Sequence, residues 1–154
     1  MAEGRKSGLL TAILLGGLVA GTVDIGAAAL IFHAMPDRVL RAIASGLIGK
    51  AAGQGGMEIV ALGLGLQWAM SIVIAAIYDI AALRLTMLAR QWLPWGLAYG
   101  VGVYAVMTYV VVPLSRAPHH PPSSLLVQGE NVAAMLLFGV IVAFFARRLA
   151  PEKA

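Results

Sequence analysis

The chain has no cysteine among its 154 residues. That excludes disulfides, thiol catalysis, iron–sulfur clusters and cysteine-based zinc sites. Charge is scarce as well: 12% of residues are Asp, Glu, Lys or Arg, where a soluble domain carries about 25%. With 60% hydrophobic residues and a mean hydropathy of +0.88, there is too little polar surface to cover a fold in water. Residues 1–154 therefore read as one small integral membrane domain. Catalytic motifs are missing too. There is no Ser-His-Asp arrangement, nucleotide loop or metalloprotease signature, so no enzyme is expected. Gly53-Gln54-Gly55-Gly56 is glycine-rich but follows no strand, and reads as a flexible turn. No histidines are placed to face one another inside a bundle, as a di-haem site needs, and no cofactor is expected.

What is present is four apolar runs, each near the ~20 residues that cross a bilayer as a helix. They cover about 9–32, 58–83, 92–113 and 125–146. The first, Leu9–Phe32, holds a single charge, Asp24. It is 24 residues long, longer than the ~7–15 apolar residues of a signal peptide, and is expected to remain as a span. In the fourth run Glu130 is expected in the first turn. The fold expected is all-α: a four-transmembrane-helix bundle with an amphipathic helix between the first two spans. That extra helix starts at Pro36-Asp37, with Asp37 as its cap. Val39, Leu40, Ile43, Leu47 and Ile48 share one face at helical spacing. A helix lying on the surface is preferred to one that dips in and lines a cavity. The loop 84–91 is short, which predicts that the second and third spans pack as antiparallel neighbours.

The net charge of +4 does not argue for nucleic acid, because the basic residues flank apolar runs. Four spans put Arg5, Lys6, Arg84, Arg90, Arg147, Arg148 and Lys153 on one side. Arg38, Arg41, Lys50 and Arg116 fall on the other. The positive-inside rule then predicts both termini in the cytoplasm of a multi-pass bacterial inner (plasma) membrane protein.

Asp24 is the residue most worth explaining. A carboxylate in hydrocarbon needs a partner, a proton or water. It lies ~22 Å from Leu9 along a helix, in the outer third of the bilayer. Glu58 and Glu130 open the second and fourth spans from the same side, so the three form a candidate intramembrane polar site facing outward. The alternative is an Asp24 satisfied by a nearby Lys, Arg or hydroxyl such as Thr22, with Glu58 and Glu130 ordinary interfacial residues. Asp79 reads as an interfacial anchor, with Arg84, five residues on, as a candidate for a local or water-bridged pair. His33, His119 and His120 fall on the outer face as candidate metal ligands. They lack the i, i+3 or i, i+4 spacing that would strengthen that reading.

Gly17/Gly21 and Gly96/Gly100 are GxxxG pairs, which let helix backbones approach closely. They predict either packing within the bundle or contact between copies. GL-x-x-G occurs in both the first and third spans, a faint repeat for which chance is the simpler account. Trp68 through Tyr78-Asp79, the short basic loop, Trp95-Gly96-Leu97, Val112-Pro113-Leu114 and Pro121-Pro122 resemble the YagU-like bacterial inner-membrane proteins. The GTVDIG stretch around Asp24 also resembles small proteobacterial membrane proteins. The resemblance covers about half the chain and implies a multi-span inner-membrane location with no assigned chemistry.

Three functions follow. The first is a non-enzymatic membrane component that packs with itself, as a homo-oligomer, or with a larger membrane complex in the lipid bilayer. The second is a small proton- or cation-coupled transporter or channel using Asp24. The third is a lipid- or metal-binding protein acting at the outer face.

Overall fold

A computed structural model describes residues 2–118 and 123–149. Helix α1 (Ala2–Ile31) leads to α2 (Pro36–Ile48) and a 3-10 turn (Gly49–Gly53). Next come α3 (Met57–Arg84), the short α4 (Thr86–Arg90) and α5 (Trp92–Val106). A π-helical turn (Met107–Val111) carries α5 into α6 (Val112–Leu114), and α7 (Leu125–Leu149) closes the chain. The described residues contain no strand. Four helical segments are long and apolar enough to cross a membrane: Lys6–Ile31, Met57–Arg84, Trp92–Leu114 and Leu125–Leu149. Their bounds lie within a few residues of those the apolar runs predict. The protein is an all-α, multi-pass membrane protein.

The helix ends follow from local chemistry. α1 stops in a Schellman turn, in which the Ala34 amide donates to the Ala29 carbonyl (2.9 Å) and the His33 amide to Leu30 (3.3 Å). His33 adopts φ 47° to make that turn, a position more often held by glycine. α2 begins one residue before Asp37. Pro36 occupies its first turn, where a missing N–H costs nothing, and Asp37 makes no cap bond. Asp37 instead approaches Arg41 at 4.0 Å, one turn on. Ser124 Oγ accepts from the Val127 amide (3.3 Å) and so starts α7 at Leu125. That start places Glu130 in the second turn rather than the first.

The spans pack in the order α5–α7–α1–α3, with α2 laid against α3. Glycine sets the close approaches. A Cβ on Gly17 would sit 2.7 Å from Ile72 Cα, and one on Gly21 would meet Ser71, both on α3. Gly96 and Gly100 face α7 in the same way; a Cβ on Gly96 would lie 2.8 Å from that of Ala143. Each GL-x-x-G segment thus faces the span that follows it, and all four glycines are used within the chain. Gly63 is where α2 crosses α3, and a Cβ there would collide with the Leu40 carbonyl.

α3 and α5 are not the packed neighbours that the short loop predicts. They meet at Tyr99, whose hydroxyl donates to the Ile74 carbonyl (2.7 Å) and whose ring lies 5.0 Å from that of Tyr78. Beyond Tyr99, toward the α2 end, they stand apart around a groove of about 620 Å³. The reason lies in the connection: α4 fills it, and buried Leu88 joins the cluster of Tyr78, Phe138, Val142 and Ala146. α5 therefore turns to α7 instead, where Trp92 packs edge-on to Phe144 and lies under Arg147.

Candidate functional site

The buried residues of α3 are Gly63, Gln67, Ser71, Ala75, Tyr78, Asp79 and Ala82. Steps of three and four put them on one side of the helix. This inward side carries the polar residues Gln67, Ser71 and Asp79, whereas the outward side, Ala61, Gly65, Ala69, Val73, Ile77 and Ile80, has none. In a bilayer the outside is already apolar, so small residues and hydrogen bonds are what hold helices together.

Gln67 is the partner of Asp24. Its Nε2 donates to Asp24 Oδ2 (2.8 Å) and more weakly to the Gly21 carbonyl (3.4 Å). Ser71 Oγ donates to the Gln67 carbonyl (2.8 Å), one turn further along the same face. Beside this pair, Trp68 Nε1 donates to Thr22 Oγ1 (3.2 Å), and Thr22 donates to the Leu18 carbonyl (2.7 Å). Thr22 therefore binds Trp68 rather than Asp24. The partner of Asp24 is a neutral carboxamide, not a cation. Among the described residues the only ion pair is Asp37–Arg41.

Asp24 is half-buried, and it forms part of the wall of a cleft of about 430 Å³ between α1, α2, α3 and the π turn. Arg38 and Ser115 are its other polar walls besides Gln67; Ile25, Phe32, Val39 and Ile43 supply apolar ones. One face of α2 lines this cleft, and its buried residues are Val39, Leu40, Ala44 and Ser45. Leu47 points away and is exposed. The Arg116 amide donates to the Gly46 carbonyl (2.9 Å), which ties the far end of α2 to the segment after α6. A Gly55 carbonyl accepts from Arg41 and holds the near end.

Glu58 and Glu130 do not line the Asp24 cleft. Glu58 is exposed at the start of α3, where its Oε1 accepts from the Gly56 amide (2.7 Å). Glu130 is exposed on α7. His33 is exposed in the turn that ends α1, and His119 and His120 lie outside the described residues. No group of three His, Cys, Asp or Glu side chains among the described residues is arranged to hold a metal.

The residue that reasoning from sequence misplaced is Asp79. It is 1% exposed, and neither carboxylate oxygen has a hydrogen-bond partner. Arg84 is exposed and does not reach it. Five residues along a helix is about 140° around the axis, so the two side chains diverge. The neighbouring hydroxyls are committed elsewhere: Tyr99 donates to Ile74, and Tyr78 to the Leu88 carbonyl at 3.4 Å. Gln67 was missed altogether. Its signal was the step of four through Gly63, Gln67, Ser71 and Ala75, which marks one face of an otherwise apolar helix.

No family model, curated protein or solved structure matches this chain.

Proposed function

We propose that this protein moves protons across its membrane, with Asp24 as the group that takes up and releases them. The observation that carries the reading is the Asp24–Gln67 pair in the wall of an open cleft within the spanning helices. A carboxylate there accepts a proton from water in the cleft, becomes a neutral acid, and returns the proton to water when access changes. Gln67 holds the carboxylate in place in both states without cancelling its charge, as a fixed Arg or Lys would. The ligand set also favours a proton over a metal ion. One carboxylate and one carboxamide supply far fewer than the ~6–8 oxygens that calcium takes.

Asp79 supports the same reading as a second stop. It lies twelve residues beyond Gln67 on α3, ~18 Å along the axis. A charge buried without a donor is costly unless a proton, a cation or water joins it. The two acids are too far apart for direct transfer, so passage requires water to enter along the inward face of α3. The basic residues flanking the spans support a bacterial inner-membrane location with cytoplasmic termini, as the YagU-like resemblance also implies. Because Gly17, Gly21, Gly96 and Gly100 are used inside the chain, they do not argue for association between copies.

The test is proton flux in liposomes loaded with a pH-sensitive dye and energised by a potassium diffusion potential. Flux above that of empty liposomes is expected for the natural chain, with at least a tenfold loss in Asp24→Asn. Flux equal to that of empty liposomes, or an unaffected Asp24→Asn, would overturn the reading.

A further inference from the structure

The Asp24 cleft is not an isolated hollow. It shares Met70, Met107 and Val111 with the groove between α3 and α5, so the two volumes, about 430 and 620 Å³, adjoin across common walls. Together they form one slot with two chemical characters. The first part carries a carboxylate, a guanidinium and a carboxamide from Asp24, Arg38 and Gln67. The second has no charged wall; Ala69, Val73, Ile77, Val103 and Val106 are typical of its lining. The second part lies between two spanning helices, α3 and α5, whose surroundings are lipid.

We infer that this slot binds one acyl chain of a phospholipid whose headgroup carries a primary ammonium and a phosphate. The charges on the walls choose that headgroup. Asp24 makes no ion pair, and its carboxylate suits the N–H donors of an ammonium group. Arg38 makes none either, and its planar guanidinium suits a phosphate. An anionic headgroup without an amine would leave Asp24 unmatched, and a quaternary ammonium offers it no N–H.

The length of the apolar part agrees. From Gln67 to Ile77 is ten residues, ~15 Å of helix, about half of a ~30 Å hydrocarbon core and long enough to take much of one acyl chain. The walls can adapt to it. Met70 and Met107 are unbranched and polarisable, and Met107 and Val111 of the shared wall belong to the π-helical turn, an irregularity often found at functional sites. This inference rests on the slot and its charges, not on proton movement; a seated ammonium occupies Asp24, so lipid and proton take that carboxylate in turn and not together.

The test is lipid retention by the full chain. Protein in nanodiscs of mixed phosphatidylethanolamine, phosphatidylglycerol and phosphatidylcholine is transferred to mild detergent and weighed by native mass spectrometry. One retained phosphatidylethanolamine per chain is expected, at least tenfold over the other two. Arg38→Gln and Asp24→Asn should each erase that preference. Gly102 supplies a variant independent of the charges: it lines the apolar groove and a Cβ there meets nothing within 4 Å. Gly102→Phe starts its side chain in open space at the groove and should lose the lipid altogether while remaining folded by circular dichroism. Equal retention of all three lipids, an unchanged lipid in Gly102→Phe, or a second copy of the chain in place of lipid would each overturn the inference. No gradient enters this measurement, and proton flux can be measured in liposomes lacking phosphatidylethanolamine, so either proposal can fail without the other.

Discussion

Replacing Asp79 with leucine should make the protein more stable. Asp79 is buried among Tyr78, Ala82 and their neighbours with two oxygens and no donor. An unsatisfied buried polar group costs about 1–3 kcal/mol. Leucine removes that penalty and adds apolar contact; it has the same number and branching of side-chain heavy atoms, with two methyls that are larger than the oxygens they replace. Tyr78 and Tyr99 lose nothing, since their hydroxyls already donate to Leu88 and Ile74. A net gain of about 1–2 kcal/mol is expected, after allowing for repacking of the branched side chain. For a chain of this length that is a rise in Tm of about 2–8 °C, at ~2–4 °C per kcal/mol. Thermal unfolding followed by circular dichroism in detergent micelles, at fixed lipid and detergent ratio, reads it directly. A fall in Tm of several degrees would refute the reasoning, because it would mean that the carboxylate has a partner that holds the core together. The same variant should lose proton flux. A polar group kept at the expense of stability is the pattern expected of a working residue.

Gln67→Leu, on the same helix face, should do the opposite: it strips Asp24 of its donor at 2.8 Å, and a loss of about 1–3 kcal/mol is expected in the same melts. Glycines divide in the same way. A Cβ on Gly139 would lie 2.7 Å from the Gly100 nitrogen, so Gly139→Val should cost about 1–3 kcal/mol by overpacking, whereas Gly65, with nothing within 4 Å, should gain about 0.5–1 kcal/mol as alanine.

The spans were legible because the bilayer imposes a length, and four runs of apolar residues satisfy it. The starts of α2, α3, α5 and α7 were legible to within a residue, Pro36 marking the first of them by its own backbone logic, whereas α1 starts at Ala2, well before Leu9. Which way each span faces was not. In a soluble helix an apolar stripe marks the core. In α3 the lipid side and most of the core side are both apolar, and the inward face is marked only by Gly63, Gln67, Ser71 and Ala75. That is why Asp24 was seen while its partner was not. A lone charge stands out in hydrocarbon, but a lone amide does not. Asp79 was misread because its distance from Arg84 in sequence suggested a pair that helical rotation forbids. The separation of α3 from α5 was hidden for a different reason. A short loop limits how far two helices can part at one end, but α4 and Leu88 occupy that end and leave the rest free to open. The slot formed by that opening belongs to no one segment, so no local pattern announces it.

The claim on which the account turns is that Asp24 binds a proton reversibly while held by Gln67. Infrared difference spectroscopy of the protein in bilayers, cycled between acidic and alkaline buffer, observes this at the group itself. A carboxyl C=O band is expected that appears and disappears with bulk pH, shifts in Gln67→Leu where its hydrogen bond is lost, and is missing in Asp24→Asn. A difference spectrum identical in the natural chain and in Asp24→Asn would contradict it.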